Sequence, residues 1–443
     1  MKTFDFLVIG GGSGGVRAAR LAAQQGLKTA IIEKKHWGGT CVNLGCIPKK
    51  YMVLAADYRK DFYSAQNYGW RLSQPSFDWQ TLRTQIHNET ERLQSVYQGV
   101  LTEAGVELIE GEGHFLSPTQ VQVGNSHYRA EKILLATGSR PFVPPIKGKE
   151  YGWVSDDIFT LPQLPERIAI LGGGYIALEF ASILSSLGVK VTLIHRSGRL
   201  LRQTDEELAQ FFTNEMSPEI RLLLNTQVVA IDKNDDQSYS LKLDDGKNCQ
   251  VDGVFFALGR IPNSNMGLDK AGVSIGKKGE VLVDDCYGSS QPHIFAVGDL
   301  IAKKALTPVA IAEASIVIAS DFGAHKTPRL DYDAIPTAIF CRPELAMIGK
   351  TEAVARQTRE IEVYSNSFFP MKQMFAKERE SFFIKILCEK NKGKLLGIHL
   401  AGEGAAEIMQ GFAVAYANGL TKRDLAKTIG IHPTIAEELI SLK

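Results

Sequence analysis

Cysteine is scarce in this chain of 443 residues, six in all, too few for a disulfide-built scaffold and in keeping with a reducing compartment. No apolar run reaches the roughly 18 residues a membrane span needs, so no membrane is expected as a partner. Neither sign of charge dominates, with 50 Lys and Arg against 49 Asp and Glu, so no nucleic-acid surface is expected either. No second cysteine pair or matched histidines accompany the first pair, so no metal site is expected. The chain opens Met1-Lys2-Thr3-Phe4-Asp5 and enters a strand at once; no leader is expected, and the cytoplasm is the expected location.

What is present is organised in repeats of one device. Phe4 to Ile9 is a short apolar run of strand type, followed by Gly10-Gly11-Gly12-Ser13-Gly14-Gly15, a helical stretch to Gly26 and a second strand, Thr29 to Glu33. Gly10, Gly12 and Gly15 fill the three places of G-x-G-x-x-G. Strand, glycines, helix, strand and terminal acid together define a dinucleotide unit. Bare backbone can approach a pyrophosphate, the helix N-terminus offers it N–H groups, and Glu33 can accept from an adenosine ribose.

The device recurs after a proline-marked boundary, Pro144-Pro145 and Pro162 to Pro165. Arg167 to Leu171 is a strand, Gly172, Gly174 and Ala177 fill G-x-G-x-x-A, and a helix runs to about Leu187. The two units differ at the diagnostic place. The step that leads from Gly10 to Glu33 leads from Gly172 to His195, with Arg196 and Arg202 beyond it. An acid accepts from a ribose 2′-hydroxyl and repels a 2′-phosphate, whereas arginines pair with that phosphate. FAD is therefore expected at the first unit and NADPH at the second. Arg199 is an additional basic residue in the same loop.

Between these units lies Gly39-Thr40-Cys41-Val42-Asn43-Leu44-Gly45-Cys46-Ile47-Pro48-Lys49-Lys50. If Thr40 and Asn43 begin a helix, its free N–H groups favour a thiolate, and Lys49 and Lys50 add positive charge. The thiolate is the attacking species in thiol–disulfide exchange, so the stretch reads as a redox pair. Two merely buried thiols stay open on the residues alone. Cys249, Cys286, Cys341 and Cys388 have no partner at informative spacing and read as ordinary buried thiols.

Lys50 to Gly105 reads as largely helical, with most of its aromatics, among them Tyr51, Tyr58, Phe62, Trp70, Trp79 and Tyr97, taken up in core or lid packing; Leu108 to Phe115 and Val121 to Val123 read as short strands. From about Tyr332 strands resume, with helices near Glu352 to Arg356 and Glu403 to Asn418.

The run G-G-T-C-V-N-L-G-C-I-P-K-K resembles the active-site signature of the flavin disulfide reductases, and its Pro-Lys-Lys ending resembles the glutathione-reducing branch more than the dihydrolipoamide dehydrogenases. Further matches are A-T-G-S-R-P (Ala136 to Pro141), A-L-G-R-I-P-N (Ala257 to Asn263), the segment ending Val297-Gly298-Asp299, and H-P-T-x-x-E-E from His432. The resemblance implies an α/β fold with two Rossmann-like dinucleotide-binding domains and a C-terminal α+β dimerisation domain. Its expected divisions are 1–141 with 263–331 for FAD, 142–262 for NADPH and 332–443 for the interface of a homodimer.

It also implies roles. Cys41 would be the exchange thiol and Cys46 the thiolate facing the flavin; Lys49 would pair with Glu179, and Tyr175 would gate the nicotinamide. His432, oriented by Glu437, would reach the partner subunit's disulfide as acid–base, although Thr434 with Glu437 also fits a capping box. Asp299 would bind the flavin ribityl chain. Ser13, Gly14, Gly39, Thr40, His114, Thr137, Gly138, Ile176, Gly259 and Thr307 complete the cofactor-binding positions. Ser13, Arg17, Arg20, Tyr97 and Thr307 would line the pocket for oxidised glutathione. Many members carry an arginine where this chain has Ser315, which leaves a trypanothione-like or modified glutathione open as substrate; a non-catalytic redox-sensing flavoprotein is the reading from another class.

Overall fold

The computed structural model describes residues 1–73, 75–323, 330–377 and 379–442. Its first sheet runs in the order Glu107–Glu110, Thr29–Glu33, Lys2–Ile9, Ser126–Leu135, Gln120–Val123, Gly113–Ser117, with Ile294–Ala296 added beside Ser126–Leu135. The first four strands and Ile294–Ala296 are parallel, and the remaining two form an antiparallel meander. Phe6, Leu7 and Val8 are fully buried in succession, as a strand covered on both faces requires. The helix Ser13–Gln24 turns Val16, Ala18, Ala19 and Ala22 inward, and Thr307–Asp321 packs against it.

The second unit repeats the plan on a smaller scale, with the parallel order Arg221–Leu223, Lys190–Ile194, Arg167–Leu171, Gly253–Phe256. An antiparallel trio, Val228–Lys233, Tyr239–Leu243 and Asn248–Val251, lies beside it. The two passes of chain between the units pair with one another, Ser139–Pro141 antiparallel to Arg260–Pro262. The C-terminal unit is a five-stranded antiparallel sheet, Thr337–Ile339, Leu345–Gly349, Leu395–Ala401, Phe382–Glu389, Ile361–Phe368, with the helix Ala405–Ala417 packed on it.

Lys50 to Gly105 is largely helical, as expected, in two helices, Cys46–Ala65 and Trp79–Glu103; Gly69 at φ +91° ends the first segment and Asp78 caps the second by accepting from Gln80 and Thr81 N–H. Two expectations are corrected. Leu108 to Phe115 is two strands broken at Gly111, whose φ of +134° a side chain would strain. Most of the aromatics of this region are not packed away: Trp79 is buried, but Tyr51, Phe62, Tyr63 and Phe77 are exposed, and Tyr58 is 62 % and Trp70 68 % exposed. Tyr51, Leu54, Tyr58 and Phe62 form one exposed stripe along the helix Cys46–Ala65, with Tyr58 stacked on Phe62.

The other face of that helix is fixed. Asp57 pairs with Arg342, Lys60 with Glu380, and Asp61 with Lys372 at 3.0 Å, all three partners belonging to the C-terminal unit. Met52 and Val53 share an apolar cluster with Ile168 and Leu178 of the second unit and Ile339 and Leu345 of the C-terminal sheet. The helix that carries Cys46 is thereby set by all three units.

Candidate active site

A cavity of about 1800 Å³ runs between the two dinucleotide units and past the cysteine pair, larger than one small-molecule site requires. At the first unit, Gly10 lies at φ +112°, and a Cβ there would stand 2.3 Å from the Ala136 carbonyl oxygen; a Cβ at Gly15 would stand 1.9 Å from the Gly10 oxygen. Gly15 is demanded by the turn itself, and Gly10 by its positive φ and by the neighbouring strand. Gly12 and Gly174 differ: a Cβ at Gly12 would approach only Gly39 Cα, at 3.8 Å, and one at Gly174 would meet nothing, so both present bare backbone to the cavity. That is the cradle a pyrophosphate needs at each unit. Glu33 lines the cavity with its carboxylate held by Gly11 N–H at 2.6 Å and Lys35 N–H at 2.8 Å, leaving lone pairs for a ribose.

Ser13, Gly14, Gly39, Thr40, Thr137, Gly138, Asp299 and Thr307 line the same cavity. Asp299 Oδ2 accepts from Ser139 Oγ at 2.6 Å, and Ser139 Oγ accepts from Arg260 Nε at 2.8 Å. Ser139 and Arg260 stand in the two motifs that join the units, yet their spacing gave no hint of this chain. His114 is not brought to the cavity: Gly113 and Phe115 are buried, so His114 alternates outward, 3.7 Å from Glu112.

At the second unit Gly172, Ile176, Gly259, His195, Arg196 and Arg202 line the cavity, while Ala177 is buried behind it. His195 Nε2 is buried without a partner among the described residues, and burial, then Arg202 and Arg196, hold its pKa below the ordinary imidazole value. Arg199 turns away and staples the loop, donating to the carbonyls of Arg202 at 3.1 Å and Thr204 at 3.3 Å.

Cys41 sits in a short helix, Gly39–Asn43, and Cys46 is the first residue of Cys46–Ala65, so the helix N-terminus favours Cys46 rather than Cys41. Both are thiols here. A hydrogen bond from Cys41 is the main cause that pulls the Cys46 pKa down to about 6, with Thr307, 3.8 Å from its sulfur, and Lys49 assisting against burial. The same bond, together with burial, raises Cys41 far above the thiol range. The pair is therefore polarised, Cys46 as thiolate and Cys41 as proton holder.

Lys49 Nζ lies 2.6 Å from Glu179 Oε1, both largely buried. Phe340, which sequence reasoning missed, donates its N–H to the same oxygen at 2.9 Å and sets its ring under Lys49 Nζ (4.4 Å) and Lys50 Nζ (3.9 Å). Tyr175 stands on the cavity wall, 45 % exposed, and the surrounding protein desolvates its hydroxyl enough to raise the pKa to about 12. Tyr97, half-buried, comes near enough to Cys41 for a thiolate there to act on it. Arg17 and Arg20 share the helix face of Ser13; Arg20 is exposed and Arg17 half-buried.

His432 and Glu437 are not among the described residues lining the cavity. His432 Nδ1 lies 3.1 Å from Glu437 Oε1, and its side chain is 83 % exposed. Glu437 also closes the capping box: Thr434 N–H donates to Oε1 at 3.1 Å, and Glu437 N–H to Thr434 Oγ1 at 3.3 Å.

Fold and cavity together define an oxidoreductase with two dinucleotide clefts meeting at a dithiol. The description "Pyridine nucleotide-disulphide oxidoreductase" matches residues 4–314, and the dimerisation domain of the same family matches residues 335–442. The chain belongs to the pyridine nucleotide-disulphide oxidoreductase family. It is 40 % identical to a glutathione reductase of Burkholderia cepacia over 443 residues, covering 99 % of this chain and 98 % of that one. A chloroplastic/mitochondrial glutathione reductase of Pisum sativum is 40 % identical (99 % and 82 % covered), and a glutathione reductase of Nostoc sp. 38 % identical (99 % of each). No helix among the described residues is long and apolar enough to cross a membrane.

Proposed function

We propose that this chain reduces oxidised glutathione to two molecules of glutathione at the expense of NADPH, as a homodimeric FAD enzyme of the cytoplasm. The observation that carries the reading is the polarised Cys41–Cys46 pair, set in one cavity with two glycine cradles of which the second alone carries Arg196 and Arg202. In this reading residues 1–141 with 263–331 hold FAD, 142–262 hold NADPH and 332–443 hold the second subunit. The exposed stripe Tyr51, Leu54, Tyr58 and Phe62 extends the apolar surface available to that subunit.

Bound FAD supplies two-electron transfer between the nicotinamide and the disulfide. The protein's part is thiol chemistry. Cys41 gives up its proton to the partner subunit's His432 and attacks one sulfur of the substrate disulfide, forming a mixed disulfide; the departing glutathione thiolate takes the proton back. Cys46 then attacks Cys41, closes the disulfide and releases the second glutathione. A Cys41 thiol as weakly acidic as this one requires such a base, and Glu437 holds the imidazole for it. Lys49, paired with Glu179, favours the Cys46 thiolate. Arg17, Arg20, Ser13, Tyr97 and Thr307 are the residues available to the substrate.

Anaerobic titration of the flavin-loaded protein with NADPH and, separately, NADH tests the reading. NADPH is expected to raise a long-wavelength absorption band that oxidised glutathione clears at once. A band that oxidised glutathione leaves standing would move the substrate to another disulfide; no band with either nucleotide would undo the role of Cys46.

A further inference from the structure

Lys385 is among the most deeply buried residues of the molecule, 2 % exposed in the middle of the strand Phe382–Glu389. Its ammonium lies 2.8 Å from Asp205 Oδ1, 3.0 Å from Glu207 Oε2 and 2.6 Å from Glu352 Oε2. Asp205 and Glu207 belong to the second dinucleotide unit; Lys385 and Glu352 belong to the C-terminal unit. Burying such a group is costly compared with an apolar contact of the same size, so the contact is better suited to fixing a geometry than to adding stability.

The geometry in question is the loop that begins at His195 and ends at Asp205. Its middle is tied to the fingerprint by Leu201 N–H on the Gly173 carbonyl at 2.9 Å, and Arg199 staples it internally. Its end is tied elsewhere. Asp205 is 1 % exposed, and besides capping its own helix at Glu207 N–H it receives Lys385 on Oδ1 and the Glu352 N–H, at 2.9 Å, on Oδ2. Arg202, whose Nη1 donates to Ser197 Oγ at 2.9 Å within the loop, thus stands three residues upstream of a contact with a different unit.

We propose that Lys385 is a positioning residue for the 2′-phosphate of NADPH: it pins Asp205, and through Asp205 sets Arg196, Arg202 and His195 at the spacing the phosphate requires. The inference rests on the NADPH reading of the second unit.

The test is binding of NADP⁺ and NAD⁺ to flavin-loaded wild type, Asp205→Asn and Lys385→Met, measured by calorimetry. Asparagine still caps the helix but cannot accept from both Lys385 and Glu352. Both variants are expected to bind NADP⁺ about tenfold more weakly, the scale of a small misplacement, and NAD⁺ nearly as before. Variants that keep the wild-type preference for NADP⁺, or weaken both nucleotides alike, overturn the proposal. A wild type without any preference would overturn the 2′-phosphate reading and this inference with it. Hydrogen exchange on the wild type does not depend on either variant folding: NADP⁺, but not NAD⁺, is expected to slow the amides of Glu352 and its neighbours, and equal slowing by both overturns the tie.

Discussion

Arg17 on the helix Ser13–Gln24 donates from Nε to Ser315 Oγ on the helix Thr307–Asp321, across 3.0 Å. Ser315, in turn, donates to the Ile311 carbonyl at 2.8 Å, so its hydroxyl is fully directed. The position at which an arginine was missed in the sequence thus serves to orient an arginine from the neighbouring helix. We predict that Arg17→Ala raises KM for oxidised glutathione about tenfold, the worth of one charge-assisted bond, with KM for NADPH unchanged. Ser315→Ala, which frees the arginine without removing it, is expected to raise it about threefold. Steady-state kinetics decide, and an unchanged KM in Arg17→Ala would remove that residue from the substrate pocket.

The polarised thiols give a pH signature. Cys46 is a thiolate above its depressed pKa of about 6 and gains a proton as pH falls through that value. In the dithiol form of the holoenzyme the long-wavelength band is therefore expected to persist at pH 7 and fade near pH 6. Cys41→Ala removes the leading cause of the depression and should move the midpoint upward, toward the free-thiol value of roughly 8.5. A midpoint that stays where it was would show that Cys41 does not set it.

The buried ion pair predicts an unequal pair of variants. Glu179→Ala strands the Lys49 ammonium and the Phe340 N–H, and its expected cost is about 3 kcal/mol or more. Glu179→Gln keeps an oxygen for both donors and should cost less than half of that, about 1 kcal/mol. Thermal unfolding of the holoenzyme ranks them, and equal losses would mean that packing rather than charge is at stake.

Shared sites make a prediction about mixtures. Cys41→Ser and His432→Ala homodimers should each be inactive, while random remixing after dissociation restores about one quarter of wild-type activity, because one of the two sites in each heterodimer is intact. No recovery from two inactive parents would assign His432 to its own subunit's chemistry.

The glycine fingerprints were readable because their spacing is local: Gly15 is crowded by the Gly10 carbonyl of its own turn and Gly10 holds φ +112°, although the Ala136 carbonyl that also crowds Gly10 comes from a distant strand. The Lys49 to Glu179 pairing, 130 residues apart, carries no local mark, and only likeness to a family pointed to it. At His114, a position carried over by likeness, strand alternation between buried Gly113 and Phe115 turns the side chain outward, which the residue order alone could have indicated. The aromatic stripe of the helix Cys46–Ala65 was read as packed because its spacing is the same whether its own chain or another covers it. Arg199 and Arg202 look alike in sequence, yet one points into the loop and the other lines the cavity; backbone direction separates them, and sequence does not report it.

The pairing of Ser139–Pro141 with Arg260–Pro262 means that the chain leaves for the second unit and returns from it at one place, reinforced by Phe142 N–H on the Gly259 carbonyl at 2.9 Å and Asn263 N–H on the Gly138 carbonyl at 2.9 Å. A unit whose ends are neighbours can be lifted out and another grafted in without spanning a gap. The nucleotide preference of this protein is therefore open to exchange as a cassette, provided the incoming loop still offers an acid to Lys385.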